Sequence, residues 1–152
     1  MAVKVVGNYA YVADGASGLQ IINVSNPATP TLVGSNDTPY FAGGVYVAGS
    51  YAYVADNTSG LQIINISNPA NPTLTGSCAT DGSSIDVYVV GGYAYVADIW
   101  NEMQIIDVSN PAIPTLAGSC DTPGGAISVY VAGSYAYVAD SSAGLLVIGG
   151  IE

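Results

Sequence analysis

The chain has 152 residues, half of them apolar, with 19 glycines, a single cation, Lys4, and a formal charge of −10 at neutral pH. That composition excludes a disordered segment and suits one compact unit or an array. The shortage of cations excludes a nucleic-acid partner, which must be met with positive charge, and disfavours an anionic membrane surface.

No apolar run reaches the roughly 18 residues that cross a bilayer. Residues 1–6 lead straight into the first structural unit, so no signal peptide is expected in this chain. The dominant signal is a hexapeptide, Tyr-Ala-Tyr-Val-Ala-Asp, at 9–14, 51–56, 93–98 and 135–140, a period of 42 residues. Self-similarity at that spacing marks a repeat architecture whose units bury their apolar faces against one another.

In chain order, residues 3–6 form a short apolar strand, Gly7 and Asn8 a two-residue turn, and residues 9–13 a second strand. Gly7, Gly49, Gly91 and Gly133 open the four equivalent turns, as a tight hairpin requires where φ is positive. A polar loop at 14–18 precedes a third strand at 19–24. Pro27 and Pro30 then impose a loop, because proline cannot donate to a ladder. Residues 31–35 form a fourth strand, and 36–44 lead into the next unit. No stretch has helical periodicity with caps.

Four antiparallel strands in each 42 residues, apolar on both faces, describe a β-propeller blade. A β-solenoid is the competing architecture, but the Gly-X hairpin suits a meander better than a coil. The expected blades are 3–44, 45–86, 87–128 and an incomplete 129–152.

The third strands read Leu19-Gln20-Ile21-Ile22-Asn23, Leu61-Gln62-Ile63-Ile64-Asn65, Met103-Gln104-Ile105-Ile106-Asp107 and Leu145-Leu146-Val147-Ile148-Gly149, each downstream of Tyr-Val-Ala-Asp. Over nearly the whole chain this resembles the LVIVD repeat of bacterial and archaeal propellers. The resemblance implies an all-β propeller, often in secreted or cell-surface proteins, and implies no particular activity. The chain departs from the pattern where Gly149, Gly150, Ile151 and Glu152 replace the Ser-Asn-Pro loop.

Nearly four blades leave two apolar blade faces bare, and patches that large seldom persist on a soluble monomer. A head-to-tail homodimer completing an eight-bladed ring is therefore expected, with a piece of a longer propeller as the alternative. Cys78 and Cys120, one period apart on neighbouring outer strands, are expected to lie beyond disulfide reach. With no histidine and no Cys-x-x-Cys spacing, a thiolate metal site is not expected either.

Alternate loops share one end of such a ring. The end holding the loops after the second and fourth strands, here called the top, carries the segments that differ most between repeats. It also carries most of the acids. Asp14, Asp56, Asp98 and Asp140 end strands and read as structural acceptors of backbone N–H groups. The non-repeated Asp81, Asp86, Trp100 and Glu102, with Tyr40 and Phe41, are the expected ligand contacts, since binding residues concentrate on loops of a rigid scaffold.

The expected partner of that acidic face is a cation, a basic protein surface or a neutral glycan. Oxygen-rich loops are the kind that hold Ca²⁺, but no EF-hand or nonapeptide motif is present, and no cofactor or metal is expected. Catalysis would have to rest on carboxylates, as in glycosidases. Nothing here resembles a nucleophile elbow or an anion-stabilising cluster. A non-catalytic binding or assembly module is the reading, with a lectin-like or glycosidase propeller as the alternative.

Overall fold

The computed structural model describes residues 1–151, and Glu152 lies outside them. Fifteen strands group into four antiparallel sheets among these residues. The first blade is β1 (Ala2–Val6), β2 (Tyr9–Ala13), β3 (Leu19–Asn23) and β4 (Thr31–Asn36). The second is β5 (Gly44–Ala48), β6 (Tyr51–Ala55), β7 (Leu61–Asn65) and β8 (Thr73–Cys78). The third is β9 (Ser84–Val90), β10 (Tyr93–Asp98), β11 (Met103–Asp107) and β12 (Thr115–Cys120). The last holds three strands, β13 (Ala126–Ala132), β14 (Tyr135–Asp140) and β15 (Gly144–Gly149).

Each sheet is a simple meander in chain order. The inner hairpin closes with Val6 opposite Tyr9, and Gly7 at its tip adopts φ 57°, a conformation open to glycine at little steric cost. The outer pair carries a bulge in every complete blade: Ile21 faces Gly34 but Ile22 faces Leu32, leaving Val33 unpaired. The same shift recurs in the second and third blades. A bulge raises local twist, which suits the outermost strand of a strongly twisted blade.

The inner strands of successive blades pack side by side, β1 with β5, β5 with β9 and β9 with β13. Between the blades lie three apolar seams. The first joins Tyr11, Leu19 and Ile21 of one blade to Val45, Val54 and Ile64 of the next. The second and third repeat it with Tyr53, Leu61 and Ile63 against Val87, Val96 and Ile106, and with Tyr95 and Met103 against Val129 and Val138. Each face that meets a neighbouring blade is thus apolar because it is one half of a seam. Cys78 packs at the second seam and Cys120 at the third, both as free thiols, with burial raising the pKa of each.

Candidate functional site

The top end is held together by two devices. Backbone bridges tie the loop after the second strand to the segment entering the next blade, Gly15 with Ala42 and Asn57 with Ser84. The strand-end aspartates then staple the preceding inter-blade loop to the blade. Asp56 is fully buried and accepts the Thr38 hydroxyl at 2.7 Å and the Tyr40 N–H at 2.9 Å. Asp98, also fully buried, accepts the Thr80 hydroxyl at 2.8 Å and the N–H groups of Ser83, Trp100 and Asn101.

Asp140 accepts the N–H groups of Gly124, Ser142 and Ala143. Burial pushes its carboxyl up, but these three donors and the Ser142 hydroxyl together outweigh burial and hold it below the usual carboxylate range. For Asp56 burial wins over the Thr38, Tyr40 and Ser59 hydrogen bonds, and its carboxyl is raised. Asp14 ends β2 in the same way, and its carbonyl accepts the Ser17 N–H.

One threonine departs from this scheme. Thr122 stands at the repeat position of Thr38 and Thr80, yet its hydroxyl is buried without a partner. The third copy also differs across the loop. A Cβ at Gly18 or Gly60 would overlap the carbonyl of Asn36 or Cys78, so these glycines let the departing chain come close. The third copy has Glu102 there, at φ 68°. The Thr122 hydroxyl makes no hydrogen bond to Asp140, whereas Thr38 and Thr80 reach Asp56 and Asp98.

The six residues expected to meet a ligand are dispersed around the top. Phe41 and Asp86 line a cavity of about 450 Å³ together with Met1, Asn57, Ile85 and Ile127. Tyr40 and Trp100 are exposed, Trp100 at 72 % the most of the aromatic side chains. Asp81 adopts φ 58° in the loop entering the third blade. Glu102 lies beside Asp121, and partial desolvation together with that carboxylate raises its pKa. Asp86 has interior work: it accepts the Ser128 hydroxyl at 2.6 Å and the Val129 N–H at 3.0 Å, joining the inner strands of the last two blades. Among the described residues no three Cys, Asp or Glu side chains converge as a metal site.

Sequence reasoning passed over the residues along the axis. Lys4, Tyr46, Tyr88 and Tyr130 are one period apart on the four inner strands. The Lys4 ammonium lies 4.7 Å from the Tyr46 ring centre, and the Tyr46–Tyr88 and Tyr88–Tyr130 centroids are 4.7 and 4.9 Å apart. These are attractive cation–π and tilted ring geometries. Burial, with Tyr46 adding to it, raises the Tyr88 pKa. The 42-residue spacing was the available signal. Ile85 and Ile127 were also missed: each is the unpaired extra residue of a bulge in β9 or β13 and reaches the cavity that way.

Meandering sheets of three or four strands, with successive sheets packed face to face through apolar seams, define a β-propeller array. The LVIVD repeat model matches residues 1–38, 41–80, 81–122 and 123–148, and the chain belongs to the LVIVD-repeat family. Its fold is similar to that of the computationally designed protein Ika4, with a TM-score of 0.76 at 7 % identity over 97 % of this chain and 88 % of that one. The designed protein Ika8 also matches, with a TM-score of 0.76 at 5 % identity over 98 % of this chain and 45 % of that one. No curated protein matches the chain.

Proposed function

We propose that the chain is a non-catalytic propeller module that assembles with a second copy, head to tail, into an eight-bladed ring and offers the top end of that ring to a ligand. One observation carries the assembly: the two bare faces repeat the two halves of a seam. On the last blade Leu145 and Val147 are 68 % and 55 % exposed where their equivalents Leu19 and Ile21 are at 0 %. On the first blade Val3 and Val5 are 62 % and 59 % exposed, while Val45, at the Val3 position, is at 6 %.

Covering each such side chain is worth about 1.5–3 kcal/mol, and the partner face already exists on every copy. Joining Leu145 and Val147 of one copy to Val3 and Val5 of the other makes a heterologous contact that closes after two chains. The axial cavity lined by Phe41, Asn57 and Asp86 supports the top as the ligand end, because it opens among the non-repeated loops. Strand-end aspartates satisfied by backbone donors support a structural role for them.

Sedimentation velocity at micromolar concentration is the direct test of assembly. The expected mass is twice that of the chain, and a persistent monomer would overturn this reading. For the ligand end, a glycan and peptide array probed with the protein and with a Trp100→Ala, Glu102→Ala variant should show binding that the variant loses.

A further inference from the structure

The residues that enter the inner strands set the shape of the axial cavity. Ile85 and Ile127 reach it from the third and fourth blades, and the same repeat position in the second blade is Gly43, which adds no side chain. The room of one isoleucine is therefore left open among Phe41, Asn57, Ile85 and Ile127, in a cavity of about 450 Å³. A Cβ on the next residue, Gly44, would come within 2.7 Å of Asp86 Cα, so that glycine lets β5 and β9 approach at the level of Asp86.

Asp86 is the one acid in the lining. Its Oδ2 accepts the Ser128 hydroxyl and the Val129 N–H, and its Oδ1 accepts the Val87 N–H at 2.9 Å. A carboxylate has about four acceptor positions, so one remains, on Oδ1. Gly44 leaves that oxygen uncovered, since a Cβ there would stand 3.2 Å from it. All three donors are neutral, and the chain's single lysine places its ammonium against the Tyr46 ring. The donors thus orient the Asp86 charge without neutralising it.

Resting on the reading of the top as the ligand end, we infer that this cavity takes a small organic ammonium ion, a primary amine carried on an apolar body. An ammonium N–H meets the free position of Asp86 Oδ1, and the body fills the space beside Gly43 against Ile85 and Ile127. The Phe41 ring adds a π face to the same wall, the chemistry that Lys4 and Tyr46 already use elsewhere on the axis. A metal ion fits poorly, because no three Cys, Asp or Glu side chains converge among the described residues. A neutral sugar finds three polar side chains in the wall, Asn57, Asp86 and Ser128, and the Ser128 hydroxyl is already donated. The formal charge of −10 favours a cation over neutral or acidic molecules of the same size.

The test is isothermal titration calorimetry of the intact chain with phenethylammonium, phenethyl alcohol and phenylacetate, backed by amide NMR shifts. Saturable binding of the ammonium is expected, with no binding of the alcohol or the acid at the same concentrations and with shifts centred on residues 41–43, 85–87 and 127–129. Asp86→Asn keeps a carbonyl for Ser128 and Val129 and should weaken binding by about tenfold or more, the scale of a hydrogen bond to a charged group. Phe41→Leu keeps apolar bulk, removes the π face and should weaken it about threefold; this variant and the charge series decide the matter if Asp86→Asn does not fold. Absence of saturable ammonium binding overturns the inference, as do equal binding of the alcohol, shifts confined to other parts of the chain, or unaltered affinity in a folded Asp86→Asn. An array ligand lost with Trp100→Ala, Glu102→Ala, beside an ammonium that does not bind, would sink this inference and leave the top-end reading standing.

Discussion

Thr38, Thr80 and Thr122 occupy one repeat position but differ in what their hydroxyls do. Thr38 and Thr80 serve buried carboxylates, and an unsatisfied buried acceptor costs about 1–3 kcal/mol. Thr38→Val and Thr80→Val should each lower stability by about that amount in urea titrations, whereas Thr122→Val should be neutral or slightly stabilising. Glu102 is the other half of this asymmetry, since a non-glycine residue held at positive φ costs about 1–3 kcal/mol. Glu102→Gly should therefore raise stability by about 1 kcal/mol. Part of the gain should vanish in a Thr122→Val background if the glycine lets Thr122 reach Asp140, a coupling that a double-mutant cycle reads directly. The aspartates should also titrate apart. Asp140, depressed in the fold, contributes stability that is present above its unfolded pKa and lost as pH falls through its folded pKa. Asp56, raised in the fold, does the reverse, and stability gained through it appears as pH falls through its folded value. Carboxyl-detected NMR should find Asp56 above and Asp140 below the usual range.

Among the elements, the fourth strands are held by the following blade as much as by their own sheet. Gly34 and Gly76 permit this because their missing side chains leave room for a proline loop. Gly76→Ala should lower the melting temperature, while Gly118→Ala, the same change one repeat later, should leave it unmoved. Differential scanning fluorimetry of the two variants separates a socket that is filled from one that is open; equal effects would mean the glycines act through backbone conformation alone. The fifteen strands were legible in the sequence because apolar runs, Gly-X turns and paired prolines recur in phase four times. The bulges at Ile85 and Ile127 were not, since an extra residue in an apolar strand leaves the composition unchanged while redirecting one side chain toward the axis.

At the level of the whole molecule, an array of seams has no natural end, so its two terminal faces carry the same demand for burial as its interior. If the proposed ring forms, Leu145→Asp should yield monomers by sedimentation and Val3→Asp should do the same, because each places a charge in the joint. Mixing the two variants should not restore an eight-bladed ring, since one joint would be repaired and the other would carry both charges. A dimer surviving both substitutions would place the contact elsewhere.

The amino-acid sequence by itself determined the repeat, the strand order and the propeller class, because those follow from local periodicity and turn chemistry that each 42-residue unit states independently. It also marked the strand-end aspartates as acceptors of loop donors. Only the tertiary structure decided which side chains meet. The Lys4–Tyr46–Tyr88–Tyr130 ladder and the Asp86 link to Ser128 both depend on the distance between neighbouring blades. That distance is set by how two apolar faces interlock, a long-range packing outcome that no single repeat encodes.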